Sequence, residues 1–177
     1  MAKRVFKADL SVSGIEKLKK ELMNYRDKIL PQKVELLAKT LAEKGVIIAQ
    51  ANVAKLDAIF TGELLSSIYK KNGGVSKNTA IFYVVCDSDH AVYVEFGTGQ
   101  IGEEAPYPYP LPNGVSWSYN TGNTIFEVTP GQYGWFYPGK DGKWYFTQGM
   151  PSRPFMYETS LELQELIVKT AKEVFGK

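Results

Sequence analysis

Apolar residues near the N-terminus recur at alternating three- and four-residue steps, which is the spacing of one face of an α-helix. Within residues 13–30 this stripe comprises Ile15, Leu18, Leu22, Tyr25 and Ile29. Ser13 stands where a helix N-cap is expected, and Pro31 suits the first turn of a second helix. The pattern therefore predicts an amphipathic helix that ends before Pro31.

A second helical stripe follows Pro31, with Gly45 as a weak point because glycine is a poor helix former. Its apolar positions are Val34, Leu37, Leu41, Ile48 and Leu56. The sequence FTGELLSSIY then predicts a short helical turn capped by Thr61, before the chain becomes extended from Ser67.

Two segments rich in β-branched and aromatic residues come next, TAIFYVVC at 79–86 and AVYVEF at 91–96. Such residues favour strands, and the intervening DSDH is composed of turn formers. Together with the extended segment after Ser67, these segments predict a small antiparallel meander with a hairpin turn at 87–90.

Prolines, glycines and aromatic residues crowd residues 102–148, which we call the excursion. Short strand-like pieces, NTIFEV, WFYP and KWYFT, alternate there with turn signals. A long structureless loop is unusual in a compact domain, so we predict a folded β-rich insertion.

Pro154 opens a final helix whose apolar residues we expect to face the core. These residues are Leu163, Leu166, Ile167, Ala171 and Val174. Helices at both ends with strands between them predict an α+β fold, with helices packed on a small antiparallel sheet. We expect a single domain over 1–177, with its core in 1–101 and 149–177 and the excursion inserted between them.

The net charge of +2 conceals an asymmetry along the chain. Residues 1–77 contain 15 Lys and Arg against 8 Asp and Glu, whereas residues 78–150 contain 2 against 7. The lysines of the first segment are spread along predicted amphipathic helices, which favours a solvated surface over a nucleic-acid stripe. Opposite charges on one molecule also suit head-to-tail contact between copies.

Neither a membrane span nor a secretory signal is expected, because the sequence has no long apolar run and its first residues lack an apolar core. We expect a cytoplasmic location. The single cysteine, Cys86, cannot form an internal disulfide and is interpreted as a packing residue in the run IFYVVC.

The stretch GTGQIG at 97–102 spells G-x-G-x-x-G, the dinucleotide-binding fingerprint, which works only where the last glycine leads into a helix. Glu103 and Glu104 would repel a diphosphate, and the four prolines at 106–112 oppose a helix. We predict that no helix forms here, that the glycines mark a strand exit with positive φ, and that no cofactor binds.

The segment CDSDH holds Asp87, Asp89 and the only histidine, His90. A structural zinc site needs about four ligands, and a catalytic triad would need this same histidine without any nucleophile motif nearby. Glu95 is one carboxylate without a visible partner. We therefore expect no metal, no catalytic residue and no enzymatic activity.

The excursion contains many aromatic residues but only two cations, Lys140 and Lys143. Aromatic side chains stack on sugars or bases, whereas a nucleic-acid groove would carry more positive charge. Partner contact or a small core of its own is the favoured interpretation. The candidate partner contacts are Trp117, Trp135, Tyr137 and Trp144.

Three separated segments, FTGELLSSI at 60–68, AVYVEFGTG at 91–99 and GMPSRPFM at 149–156, resemble in this order one protein family. It is the tail-component family of long-tailed bacteriophages, the head-tail joining or tail-completion proteins of the virion neck. The residues that match its pattern are Thr61, Gly62, Leu64, Ser67, Ile68, Tyr93, Val94, Glu95, Phe96, Gly97, Thr98, Arg153, Pro154 and Phe155. The connection between the second and third motifs, about fifty residues, is longer than in simpler members.

The resemblance implies a non-enzymatic assembly protein of the virion neck, present in the host cytoplasm during assembly. Its copies would form a sixfold ring that meets head-completion or portal-adaptor proteins on one side and tail terminator or tail tube proteins on the other. DNA would pass through the channel without specific binding, and no membrane would be involved. The alternative is a binding module whose excursion recognises carbohydrate or nucleic acid.

Five matching residues receive provisional roles from their chemistry. Gly62 and Gly97 would supply backbone freedom, and Arg153 would pair with Glu95 or a neighbouring subunit. Pro154 and Phe155 would fix the final helix against the sheet. Maintenance of the fold explains all of these residues equally well.

Overall fold

The computed structural model describes residues 6–7, 9–58, 62–76, 79–120, 126–139 and 141–176. Helices and strands mix along the chain, which confirms the predicted α+β class. The helices are α1 (Val12–Asn24), α2 (Leu30–Lys55), α3 (Glu63–Ser66), α4 (Ala91–Phe96), α5 (Gly99–Glu104) and α6 (Phe155–Phe175). The strands are β1 (Ile68–Val75), β2 (Ala80–Cys86), β3 (Phe126–Thr129), β4 (Gln132–Pro138) and β5 (Trp144–Thr147).

The helix break predicted before Pro31 is wrong, because a π-helical turn at Tyr25–Ile29 joins α1 directly to α2. Pro31 has no N–H to donate to the preceding turn. The chain widens just before it, and the amide of Leu30 donates to the carbonyl of Tyr25, five residues back. The N-cap of α1 is Ser11 instead of Ser13, and its Oγ accepts from the amide of Gly14 at 3.0 Å.

The chain groups into two compact units, each made of separated segments. The first unit comprises Met1–Ile48, Ile68–Val85 and Thr159–Lys177. The second unit comprises Ala49–Ser67 and Cys86–Glu158. The boundaries fall within α2, between α3 and β1, near the end of β2 and within α6, and the whole excursion belongs to the second unit. The single-domain organisation stays a prediction.

In the first unit, β1 and β2 pair across a connection too short for a crossover, so they form an antiparallel hairpin. Gly45, the predicted weak point of α2, is a close-packing position. A Cβ there would stand 2.7 Å from Val84 Cγ2 and 2.9 Å from Leu163 Cδ1. The absent side chain thus lets both neighbours approach the backbone of α2.

Helix α6 begins directly after Pro154, as predicted. Along it Val174 is buried, and Leu163, Leu166 and Ala171 are half-buried, in line with the predicted core face. The expectation for Ile167 is wrong, because 45% of this residue is exposed. None of the described helices is both long and apolar enough to cross a membrane.

The strand predicted at 91–96 is wrong, because these residues form α4. The predicted three-stranded meander is therefore reduced to the β1–β2 hairpin, and the segment 87–90 connects a strand to a helix instead of closing a hairpin. In helical form α4 buries Val94 and Glu95 side by side. Tertiary packing has overridden a local β preference.

The excursion is β-rich, as predicted, and contains an antiparallel meander in the order β3, β4, β5. Phe126 lies opposite Gly134 in the first pair, while Phe136 opposes Phe146 in the second. Gly134 is required at this point, because a Cβ would stand 2.0 Å from the carbonyl oxygen of Thr147.

Candidate functional site

Two of the three motif segments come together in the second unit, and we call residues 94–99 with 149–157 the motif junction. Thr98 and Met150 pair as an isolated antiparallel bridge, with N···O distances of 2.9 and 3.0 Å in the two directions. Gly149 makes this approach possible, because a Cβ there would stand 1.9 Å from the carbonyl oxygen of Thr98. The bridge therefore depends on an absent side chain.

Glu95 connects the junction to the last helix. Its Oε2 accepts from the amide of Met156 at 2.9 Å, and its Oε1 accepts from the amide of Tyr157 at 3.1 Å. These amides lie in the first turn of α6, where backbone N–H groups lack helical acceptors and the helix dipole favours a negative charge. Glu95 therefore caps α6 from a distant point in the sequence.

Burial is the main influence on the ionisation of Glu95, of which only 8% is exposed. It raises the pKa of this carboxyl above its usual range, while the two amide hydrogen bonds act in the opposite direction. Both carboxylate oxygens are occupied by backbone donors, so this group is engaged in holding the fold. No sequence signal pointed to this capping role, since the partner helix is some sixty residues away.

Arg153 and its neighbour Ser152 tie the same segments together. Ser152 Oγ donates to the carbonyl of Glu95 at 2.7 Å, and the amide of Arg153 donates to the carbonyl of Val94 at 2.8 Å. The Arg153 side chain donates from Nε to the carbonyl of Leu56 at 2.9 Å. The ion pair predicted between Arg153 and Glu95 is absent among the described residues.

Aromatic rings surround the junction within the second unit. Trp117 donates from Nε1 to the carbonyl of Gly97 at 3.0 Å and packs on Phe96 with centroids 5.1 Å apart. The ring centroids of Tyr107 and Phe96 lie 4.8 Å apart. Burial, together with the nearby Glu95 charge, raises the pKa of Tyr107 to about 12. Tyr107 therefore stays protonated at neutral pH, and its ring packs against Phe96 in this cluster.

The glycine stretch GTGQIG takes a form that differs from the prediction in two respects. Residues Gly99–Glu104 do form the short helix α5, which ends at Ala105 before the first proline. Gly97 and Gly99 have positive φ, as predicted, but Gly97 ends helix α4 instead of a strand. Because a helix precedes the glycines, the strand-turn-helix context of a dinucleotide site is missing.

The first motif, FTGELLSSI, lies partly outside the described residues, which exclude Phe60 and Thr61. Gly62 has φ 76 and directly precedes α3, consistent with the backbone freedom expected of it. Leu64 and Ile68 are buried. Ser67 accepts at its carbonyl from the amide of Asp87 at 3.1 Å, which joins this motif to the segment before α4.

The four candidate partner contacts divide into two pairs. Trp117 and Trp135 are half-buried, and a Cβ on Gly99 would stand 2.9 Å from the Trp135 ring. Tyr137 and Trp144 are 37% and 67% exposed. The second pair, on strands β4 and β5, is therefore the more accessible to a ligand.

The polar segment before α4 does not gather into a metal site. His90 is the N-cap residue of α4, and its amide donates to Ser88 Oγ. Within the part of the chain that the structure describes, no group of three or more His, Cys, Asp or Glu side chains could hold a metal ion. The expectation of no metal, no cofactor and no catalysis stays a prediction.

The described residues thus present a hydrogen-bonded structural centre and exposed apolar side chains on several elements, among them β4 with β5, and α1. The apolar stripe of α1 was evident in the sequence, but its exposure was not. Comparison of the chain with protein-family models, curated proteins and solved structures found no match. The likeness to the phage tail-component family therefore rests on the three motifs alone.

Proposed function

We propose that this protein is a structural assembly protein of the phage neck, which joins or completes the tail at the head-tail interface as part of a homo-oligomeric ring. The proposal comes from the three motifs and their order. The observation that carries it is the motif junction, where residues of the second and third motifs bind one another within the second unit.

The contacts of the junction support a scaffold role over a catalytic one. Glu95 caps α6, Arg153 binds a backbone carbonyl and Thr98 pairs with Met150. Each of these residues is engaged within the chain, so substitution would alter the shape that a neighbouring subunit meets. An assembly protein depends on such a rigid shape, since ordered surfaces lower the cost of association.

The uneven charge of the chain supports self-assembly in a ring. Residues 1–77 are net basic, and residues 78–150 are net acidic. A ring requires heterologous contacts, in which one surface of a copy meets a different surface of the next, and opposite charges suit that arrangement. The remaining partners would be portal-adaptor or head-completion proteins and tail terminator or tube proteins.

The experiment is electron microscopy of particles from the phage or prophage that encodes the chain, with this gene interrupted. We expect filled heads and separate tails, and joined virions after complementation by the intact gene. Complementation is repeated with Glu95→Ala. The matched control is Glu103→Ala, which alters an exposed side chain of α5. Normal joined virions without the gene would overturn the proposal.

A binding module remains the second candidate, favoured by the exposed aromatic residues of β4 and β5. Phe136 and Trp144 lie on one face of these strands, and Tyr137 and Tyr145 lie on the other. Exposed rings of this kind stack on sugars and bases. Titration of the protein with oligosaccharides and single-stranded DNA, followed by Trp fluorescence, tests this function, with Trp144→Ala as the control.

A further inference from the structure

Helix α1 carries an apolar surface that no described part of the chain covers completely. None of its residues is buried, and 52% of Ile15 and 44% of Leu22 are exposed. With Leu18, Met23 and Tyr25 these residues line one open groove, together with the cations Lys19 and Arg26. An amphipathic helix of this kind gains stability chiefly by burying its apolar face, so α1 lacks its main source of stabilisation.

The spacing along the groove is that of a coiled-coil seam. Ile15, Leu18, Leu22 and Tyr25 alternate by three and four residues, which assigns Ile15 and Leu22 to a positions and Leu18 and Tyr25 to d positions. Ile15 at a with Leu18 at d is the combination that favours two strands in parallel coiled coils. The fitting occupant is thus a second helix with the same seam.

The charged residues beside the seam indicate the direction of that second helix. Lys19 and Arg26 occupy e positions, and Glu21 occupies the g position between them. In a parallel pair, g of one helix faces the following e of the other, so Glu21 meets Arg26 on both sides of the contact. An antiparallel pair would place e against e and bring Lys19 toward Arg26, two like charges.

These charges are available for such a contact. Lys19 forms no ion pair with any described residue. Arg26 binds the adjacent Asp27 at 2.9 Å, but 66% of its side chain is exposed. This pair uses two of the five N–H donors of Arg26, Nε and one terminal nitrogen, so the exposed guanidinium keeps donors for Glu21 of another copy.

We propose that α1 is a self-association surface, on which the α1 helices of two copies pair in parallel and in register through Ile15, Leu18, Leu22 and Tyr25. The contact ends at the π-helical turn Tyr25–Ile29, where an extra residue per turn moves later side chains off the seam. This twofold contact goes beyond the proposed neck role and holds with or without it. A ring would need additional, heterologous contacts.

The first test measures the mass of the full chain by light scattering over about 1 µM to 1 mM, a range that covers weak to moderate dimers. We expect a concentration-dependent dimer in the wild type and a monomer in Leu18→Asp/Leu22→Asp. Circular dichroism should stay unchanged in the variant, because neither residue is buried. Lys17→Asp/Lys20→Asp, on the opposite face of α1, is the matched control and should still dimerise.

The second test determines the direction of the pair by oxidation of single cysteines in a Cys86→Ser background. Leu18→Cys should give a covalent dimer, since a parallel register places Leu18 opposite Leu18. An antiparallel pair with the same seam would set Leu18 opposite Leu22 and leave the two Leu18 positions about one helical turn apart along the axis. Lys20→Cys, which faces outward, should remain monomeric.

The third test reverses the charges. Glu21→Lys should weaken the dimer about tenfold, because two attractive contacts become repulsive. The double exchange Glu21→Lys/Arg26→Glu should restore it. A monomeric wild type over the whole range, a dimer that persists in Leu18→Asp/Leu22→Asp, or a charge exchange without rescue would each overturn the proposal.

These outcomes are independent of the microscopy of virions. A chain that joins heads to tails but stays monomeric in solution would disprove the α1 pairing and leave the neck role intact. If the chain dimerises through α1 but virions stay joined when its gene is interrupted, the neck role is disproved and the α1 pairing stands.

Discussion

Glu95 accepts a hydrogen bond from the amide of Met156 at 2.9 Å across sixty-one positions of sequence. The carboxylate is buried in α4, and the amide belongs to the first turn of α6. Two motif segments that are far apart in the sequence therefore share one stabilising contact.

Glu95→Ala should lower the free energy of unfolding by about 2–3 kcal/mol, since it leaves two helix-terminal amides without their acceptor. Urea denaturation measures the change. The matched control is Glu103→Ala on the exposed part of α5, for which we expect a change within about 0.5 kcal/mol. Equal effects of the two substitutions would contradict the capping role.

The buried carboxyl also predicts a pH dependence. Because burial raises the folded-state pKa of Glu95 above its ordinary value of 4.5, the folded state binds this proton more tightly than the unfolded state. The stabilisation from protonation is complete below 4.5 and is lost as pH rises through the folded-state pKa.

The measurement is the difference in unfolding free energy between the wild type and Glu95→Gln, followed from pH 4 to pH 8. Glutamine cannot ionise, so the wild type should lose stability relative to the variant as pH rises. A difference that grows in favour of the wild type with rising pH would show that the amide hydrogen bonds outweigh burial.

The bridge between Thr98 and Met150 predicts a large cost for a side chain at Gly149. Gly149→Ala places a Cβ 1.9 Å from the Thr98 carbonyl at a residue with φ +98, so we expect a loss of about 3 kcal/mol or more. Gly142→Ala is the control, because its φ is +75 but its surroundings are open. It should cost only about 1 kcal/mol. Thermal unfolding of both variants gives the comparison.

The two tryptophans Trp117 and Trp144 should differ in their contribution to stability. Trp117→Phe removes the hydrogen bond to the Gly97 carbonyl and should cost about 1 kcal/mol. Trp144 is 67% exposed, so Trp144→Phe should change stability by less than about 0.5 kcal/mol. Chemical denaturation followed by circular dichroism tests the pair. A larger loss at Trp144 would show that this ring is part of a core.

The glycine stretch predicts no response to nucleotides. A nucleotide that binds the folded state and is present at a free concentration of 100 times its Kd would add about 2.7 kcal/mol to the free energy of unfolding. We expect no shift in a thermal unfolding screen with NAD, ATP or divalent metals. Saturable stabilisation by a nucleotide that is lost in Gly102→Asp would contradict this interpretation of residues 97–102.

Periodicity was informative wherever an element was long or repeated its pattern several times. The start of α1, the extended run of β2 and the start of the final helix after Pro154 were all predicted close to their observed positions. The short strands of the excursion were also predicted, because turn residues separate them clearly. These signals are local, and local sequence is sufficient to produce them.

Short segments were predicted less well, and AVYVEF is the clearest case. Its β-branched and aromatic residues favour a strand, yet six residues carry too little preference to oppose tertiary contacts. As a helix, the segment points Glu95 at the amides of α6 and ends at Gly97 with positive φ. The short helix α5 was missed for a related reason, since it ends just before the prolines that argued against it.

The sequence by itself determined the fold class, the long helices and the positions of the excursion strands, because hydrophobic period and turn chemistry act between near neighbours. Only the tertiary structure decided that Glu95 caps α6, that Arg153 binds Leu56 instead of Glu95, and that the α1 stripe lies exposed. Each of those depends on which distant segments approach one another. That choice is made by the packing of the whole chain, in which burial and unsatisfied amides outweigh the preference of any short segment.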